Sequence, residues 1–90
     1  MAKIYKTNGE IIDIEPKNGK DFKYKELKEI VGGYIELINL PSDRFMVVNE
    51  EGKLMRLPIN EKATTIFQTE LGPYDIIVGD CLICETSQIK

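Results

Sequence analysis

The chain has 90 residues, of which 42% are hydrophobic and 30% are charged, as is typical of one small globular domain. Twelve basic and fifteen acidic residues give a net charge of -3, which argues against a domain that binds nucleic acid through its phosphates. No apolar run is long enough to span a membrane and no secretory signal opens the chain, so we expect a cytoplasmic protein.

The sequence also lacks the residues on which most catalytic and metal sites depend. It contains no histidine, which is the commonest general base and a frequent zinc ligand, and it has only two cysteines. We therefore expect a protein that is not an enzyme and that uses no cofactor and no metal ion.

The first predicted elements are two short strands, Ala2–Lys6 and Ile11–Ile14. The pair Asn8-Gly9 between them is a strong hairpin signal, because both central residues of a type I′ turn need a positive φ. The sequence therefore predicts that the chain opens with a β-hairpin.

A helix is predicted to follow, and its start is marked by two signals. Phe22 and Leu27 have the spacing of a hydrophobic staple, which makes Lys23 the N-cap and places Glu26 where a capping-box acid belongs. Lys23 has no short acceptor side chain, so the alternative is a start two residues earlier with Asp21 as the cap.

Two glycines end this helix. Gly32 is predicted to adopt the left-handed conformation after the last turn. Phosphate-binding loops run in the order strand, glycines, helix, whereas Gly32-Gly33 stands between a helix and a strand. These glycines therefore do not predict a phosphate site.

The centre of the chain is predicted to form an antiparallel meander of three strands, Tyr34–Leu40, Phe45–Asn49 and Leu54–Leu57. The loop Glu50–Gly52 fits a three-residue hairpin connection with Gly52 in the left-handed bulge position.

The remaining elements are a second helix near Glu61–Glu70 with Asn60 as its N-cap, a tight turn at Asp75–Gly79 that carries its aliphatic residues into the core, a last strand at Asp80–Glu85, and a frayed tail. The tail covers residues 86–90. Together these elements predict a single α+β domain in which about six short antiparallel strands pack against two short helices. A partly open barrel is the alternative arrangement.

Cys81 and Cys84 have the spacing of a redox or metal motif. They fall in a predicted strand, where residues three apart point to opposite faces, so a shared disulfide or metal is difficult to build. We expect two buried structural cysteines.

Several polar residues are candidates for binding. The loop Asn49–Gly52 can be ordinary turn chemistry or an acidic lip that binds a cation or a basic group of a partner. Lys53 and Arg56 should lie on opposite faces of their strand, which disfavours one anion clamp, and one of them could pair with Glu36 across the meander.

The start of the second helix is the best anion candidate, because a helix N-terminus offers free N–H groups and a partial positive charge. The residues concerned are Asn60, Ala63, Thr64 and Thr65, and the alternative reading is an ordinary helix cap. Asp75 and Asp80 could form a carboxylate pair, but turn capping explains them more simply.

An ordered set of motifs spans most of the chain: Phe22–Leu27, Val31–Glu36, Val47–Leu54, Leu57–Asn60 with Ala63-Thr64, and Ile77–Asp80. The set resembles a family of small uncharacterised proteins encoded mainly by bacteriophages, prophages and bacterial mobile elements. The chain departs from it at Lys23, where related sequences tend to carry Ser or Thr. The resemblance implies a small accessory protein and supplies no catalytic residue.

Two functions remain as hypotheses. The first is a non-catalytic protein that sequesters a nucleotide-like small ligand or signal as a homo-oligomer, with a site drawn from Gly33, Glu36, Asn49, Glu50, Lys53, Arg56, Asn60 and Thr64. The second is a protein–protein interaction module that inhibits or modulates a host or phage enzyme, for which the net acidity suits a basic partner surface. Convergence of the polar residues on one pocket favours the first hypothesis, and a flat exposed patch favours the second.

Overall fold

The computed structural model describes residues 2–89 and contains one open antiparallel sheet of five strands. The strands are β1 (Ala2–Tyr5), β2 (Ile11–Ile14), β3 (Ile35–Leu40), β4 (Arg44–Asn49) and β5 (Cys81–Glu85), in the spatial order β2-β1-β5-β4-β3. Two helices, α1 (Tyr24–Val31) and α2 (Glu61–Leu71), and a 3-10 turn at Thr86–Gln88 complete the fold. Within residues 2–89, no helix is both long and apolar enough to cross a membrane.

The strand β5 lies at the centre of the sheet and is buried on both faces. Leu82 and Cys84 belong to the apolar cluster beneath α1, whereas Cys81 and Ile83 belong to the cluster beneath α2. A strand with both faces covered needs a continuous apolar run, and the sequence Cys81-Leu-Ile-Cys84 supplies one. The sheet therefore has two distinct sides, which we name the α1 face and the α2 face.

The prediction of about six strands and a three-strand meander is wrong. The hairpin of β3 and β4 forms, but the predicted strand Leu54–Leu57 does not: residues 54–56 lie in consecutive turns, and Arg56 has a φ of +55°. The second neighbour of β4 is β5. Leu54 is 83% exposed, so this segment cannot supply the buried faces that the position beside β4 requires.

The N-terminal hairpin is present, but its turn is not type I′. Lys6 N–H donates to the carbonyl of Glu10 at 2.9 Å, which closes a five-residue loop, and Gly9 has a φ of +94° while Asn8 keeps a negative φ. A type I′ turn needs positive φ at both central residues.

Helix α1 starts where the staple spacing predicts. Lys23 is the N-cap, and its N–H donates to Glu26 Oε2 at 2.8 Å, while Phe22 and Leu27 are both buried. Glu26 thus holds the N–H of the cap residue, which is its part of a capping box, although Lys23 itself offers no side-chain cap bond. The alternative cap, Asp21, accepts from Asn18 Nδ2 in the preceding turn and does not start the helix. Gly32 ends the helix with a φ of +81°, as predicted.

The C-terminal tail differs from the frayed segment that the sequence predicts. Thr86–Gln88 forms a 3-10 turn, Phe22 N–H donates to the carbonyl of Gln88 at 2.7 Å, and Ile89 packs against the cluster on the α1 face. Ile89 supplies an apolar anchor beside Phe22, which holds the tail against the domain. Lys90 lies outside the described residues.

Asn60 is the predicted N-cap of α2, and it is also the most connected buried polar side chain on the α2 face. Its side chain is completely buried; Oδ1 accepts from the N–H of Ala63 at 3.1 Å, and Nδ2 donates to the carbonyls of Tyr5 at 2.7 Å and Gly79 at 2.9 Å. One amide therefore joins the end of β1, the start of α2 and the segment that precedes β5.

Replacement of Asn60 tests this triple connection. We expect Asn60→Ala to lower the free energy of unfolding by about 3 kcal/mol, because it removes the helix cap and leaves two carbonyls without their donor. Asn60→Asp keeps the cap acceptor but not the donors, and it should also destabilise the protein. Urea unfolding measures both, with Asn8→Ala, in an exposed turn, as the control. A loss for Asn60→Ala no larger than that of the control would contradict this role.

Candidate functional site

A pocket of about 150 Å³ lies on the α2 face, at the end of the β3–β4 hairpin. Its floor is formed by strand residues and its roof by two loop segments, residues 50–54 and 75–78. Three carboxylates and one lysine line it together with aliphatic side chains; the residues are Glu36, Ile38, Val48, Asn49, Glu50, Lys53, Leu54, Asp75, Ile76, Ile77 and Val78. We name it the acidic pocket.

The register of the hairpin positions the floor. Glu36 of β3 lies directly opposite Val48 of β4, and Ile38 lies opposite Met46. Because alternate residues of a strand share a face, Glu36 and Ile38 both point to the α2 face. The floor thus places one carboxylate beside two aliphatic side chains.

The roof is closed by an ion pair between its two segments. Lys53 Nζ binds Asp75 Oδ1, and the same oxygen accepts from the N–H of Ile76 at 2.8 Å. The hydrogen bond from Lys53, together with that from Ile76, holds the pKa of the Asp75 carboxyl below its usual range. Both side chains are about half exposed, so the pair positions the roof more than it stabilises the fold.

Asn49 shapes the pocket from behind. It is 5% exposed, its Nδ2 donates to the carbonyl of Val31 at 3.1 Å, and its Oδ1 accepts from the N–H of Glu51 at 2.8 Å. Gly33 gives this amide room, since a Cβ there would lie 3.0 Å from Asn49 Nδ2. Both residues therefore fix the turn that presents Glu50.

Gly52 has a different role from the predicted one. It does not adopt a positive φ. A Cβ at this position would lie 2.8 Å from Cγ2 of Val78 and 3.3 Å from the carbonyl oxygen of Asn49. Glycine is needed here because the two roof segments approach each other closely.

Four of the predicted binding residues, Glu36, Asn49, Glu50 and Lys53, line the same pocket, and Gly33 lies directly behind it. Arg56 is exposed, follows the first roof segment by two residues and does not line the pocket. The predicted ion pair between Glu36 and Lys53 or Arg56 is absent from residues 2–89, and Lys53 binds Asp75 instead.

The remaining two predicted binding residues have structural roles. Asn60 is the buried cap described above. The Thr64 hydroxyl accepts from the N–H of Ile77 at 2.9 Å and lies 3.2 Å from its carbonyl, to which it can donate. Thr64 thus fastens the segment before β5 to helix α2.

The start of α2 has the contacts of a helix cap. The N–H of Ala63 is occupied by Asn60, Ala63 itself is completely buried, and Glu61 places a carboxylate in the first turn. The Thr65 hydroxyl donates to the carbonyl of Glu61 at 3.0 Å, as part of the helix. These contacts are those of an ordinary helix cap, which is the alternative that the sequence offers for these residues.

Sequence reasoning missed the second half of the roof. The predicted turn at residues 75–79 should bury its aliphatic residues, but only Ile77 is buried at 4% exposure, while Ile76 is 40% exposed and faces the pocket. Asp75 and Lys53 are 22 residues apart, and no local pattern links them. Asp80 does not pair with Asp75; its Oδ1 accepts from the N–H of Thr7 at 2.9 Å.

The two cysteines lie on opposite faces of β5, as predicted, and both thiols are free. Burial raises the pKa of Cys81 to about 12 and that of Cys84 to about 11. Within residues 2–89, no three His, Cys, Asp or Glu side chains come together in a way that could hold a metal ion.

The cysteine environment gives a direct chemical test. Because the thiolate is the reactive form, we expect iodoacetamide at about pH 8 to modify neither cysteine in the folded protein and both after unfolding in urea. Mass spectrometry of the intact chain counts the added groups. Modification of the folded protein at the rate of a free cysteine would show that the α1 or α2 face is open.

Comparison with known proteins places the chain in one family. Residues 4–89 match the family described as "Domain of unknown function (DUF3846)", and the chain belongs to it. No curated protein and no solved structure matches the chain significantly.

Proposed function

We propose that the protein is a non-catalytic binding protein whose acidic pocket captures a small ligand through an amino-bearing, flat apolar group such as a nucleobase. The observation that carries this proposal is the meeting of Glu36 and Glu50 with aliphatic walls in one concave site. Convergence of the predicted polar residues on one pocket is what the ligand-binding hypothesis requires.

The negative charge of the pocket favours ligand groups that donate hydrogen bonds over groups that accept them. Lys53 is engaged by Asp75, whereas neither Glu36 nor Glu50 forms an ion pair or a side-chain hydrogen bond within residues 2–89. Two such carboxylates accept N–H donors and repel phosphates. The ligand therefore enters with its amino group, and any phosphates it carries stay outside.

The size of the pocket limits the part of the ligand that it holds. About 150 Å³ is half of the roughly 300 Å³ at which pockets for drug-sized ligands begin. One ring system fits this volume better than a complete nucleotide. Ile38, Val48 and Ile76 offer apolar surfaces for the faces of such a ring.

Affinity measurements with matched probes test the proposal. We expect adenosine to bind at least ~10-fold more tightly than inosine, in which an oxo group replaces the amino donor, because a carboxylate left facing an acceptor loses a charge-assisted hydrogen bond. Adenosine 5′-diphosphate should bind more weakly than adenosine. Isothermal titration calorimetry measures all three affinities.

Variants connect the binding to the pocket. Glu36→Gln and Glu50→Gln should each weaken adenosine binding on the order of 10-fold. Glu51→Gln is the matched control, since Glu51 lies in the same loop but does not line the pocket. Absence of binding by adenosine, or equal losses in all three variants, would overturn the proposal.

A protein partner is the second candidate, and one observation favours it. Three large apolar side chains near the roof are strongly exposed: Leu54 at 83%, Met55 at 51% and Tyr74 at 86%. An acidic pocket with apolar neighbours suits a partner that inserts a lysine or arginine side chain. Binding of acetyl-arginine amide at Glu36 and Glu50, without binding of adenosine, would select this function.

The phage or mobile-element setting that the motifs imply suits either function. There, a small protein that binds and retains an amino-bearing nucleotide signal, or that blocks a host or phage enzyme, needs no catalytic residue of its own. Retention of a ligand requires slow release. We therefore propose that the pocket lies in a homo-oligomer, where a second subunit can add residues to it.

A further inference from the structure

The outer edge of β3 presents three residues whose backbone groups point away from the sheet. Tyr34 accepts from the N–H of Glu50 at 2.8 Å, so its backbone faces β4. Backbone direction alternates along a strand, and Ile35, Leu37 and Asn39 therefore point outward. Within residues 2–89, no other strand or loop forms a backbone hydrogen bond with this edge.

The two edges of the sheet are not equally protected against pairing with a strand of another chain. The β2 edge is four residues long, carries Asp13, and is flanked by Glu10, Glu15 and Pro16. The β3 edge is six residues long, pairs with β4 without a bulge, and contains no proline or lysine. Short length, charge and proline are the usual devices that prevent edge-to-edge pairing; β3 is longer than β2, has no proline, and carries one charged residue, Glu36, which points to the α2 face.

We propose that a second copy of the chain pairs antiparallel with β3, with Leu37 opposite its own counterpart across a two-fold axis. Leu37 is 40% exposed, and this pairing covers it. The sheet then continues across the two subunits. The proposal deepens the proposed function, because β3 also forms the floor of the acidic pocket.

The register follows from the residues of the edge. A two-fold axis perpendicular to the sheet keeps residues of the same face opposite each other, which centres the pairing on one residue. Centring on Leu37 pairs Ile35 with Asn39 and uses every outward backbone group. Centring on Glu36 opposes two like charges. Centring on Ile38 places Pro41, which has no N–H, opposite Ile35.

This register changes the acidic pocket. Glu36 becomes the direct neighbour of Ile38 of the partner subunit, at a Cβ–Cβ separation of about 4.5–5.5 Å. Both positions line the pocket in each subunit. The two pockets therefore adjoin along the seam, and each gains an aliphatic side chain on its open side.

Sedimentation velocity of the full chain and two lysine variants tests the interface. We expect a dimer for the wild type, and Leu37→Lys should weaken it on the order of 100-fold, because two ammonium groups face each other across the axis. Ile12→Lys is the matched control: Ile12 is also 40% exposed, also on an edge strand, and should leave the dimer intact. Far-UV circular dichroism checks that each variant is folded.

If Leu37→Lys fails to fold, amide hydrogen exchange of the wild type tests whether β3 pairs with a second copy of the chain. The Leu37 and Asn39 amides should exchange more slowly as protein concentration rises, and those of β2 should not. A wild type that is monomeric at every concentration, or a folded Leu37→Lys variant that stays dimeric, would overturn the proposal. If a monomeric Leu37→Lys variant still binds adenosine, the pocket works without the interface. The test of the interface is then independent of the test of the pocket.

Discussion

The arrangement of the α2 face depends on one buried amide, that of Asn60. It satisfies carbonyls of Tyr5 and Gly79 and caps α2 at the N–H of Ala63. These contacts fix where the chain leaves β1, where α2 starts and how the segment before β5 crosses the sheet. That segment is the half of the pocket roof that carries Asp75, so a residue outside the pocket determines its shape.

The two-sided burial of β5 is the second constraint. Cys81 and Cys84 face different apolar clusters, which allows a chain of 90 residues to cover its sheet on both sides with one short helix each. Each helix covers only part of its face. The end of the β3–β4 hairpin on the α2 face is roofed by loops, and there a concave, polar site can form without interrupting the core.

Local patterns in the sequence predict the elements well, but they do not predict which elements meet. The staple of Phe22 and Leu27, with Glu26, predicts the start of α1, and Asn60 predicts that of α2. Glu36 and Glu50 could be chosen from the sequence as candidate binding residues, because a short stretch of sequence is enough to show polar residues beside the end of a strand. The Lys53–Asp75 pair and the β4–β5 pairing could not be predicted in this way, since both join distant segments through tertiary packing.

The most direct test of the pocket is a titration with adenosine in which carbon-13 NMR monitors the carboxylates that line the pocket. The side-chain carboxyl signals of Glu36 and Glu50 should shift together with the methyl signals of Val48 and Ile76. Glu26, which caps α1 at Lys23, should not move. Shifts confined to residues outside the acidic pocket, or no shifts at all, would contradict the claim that this pocket binds an amino-bearing ligand.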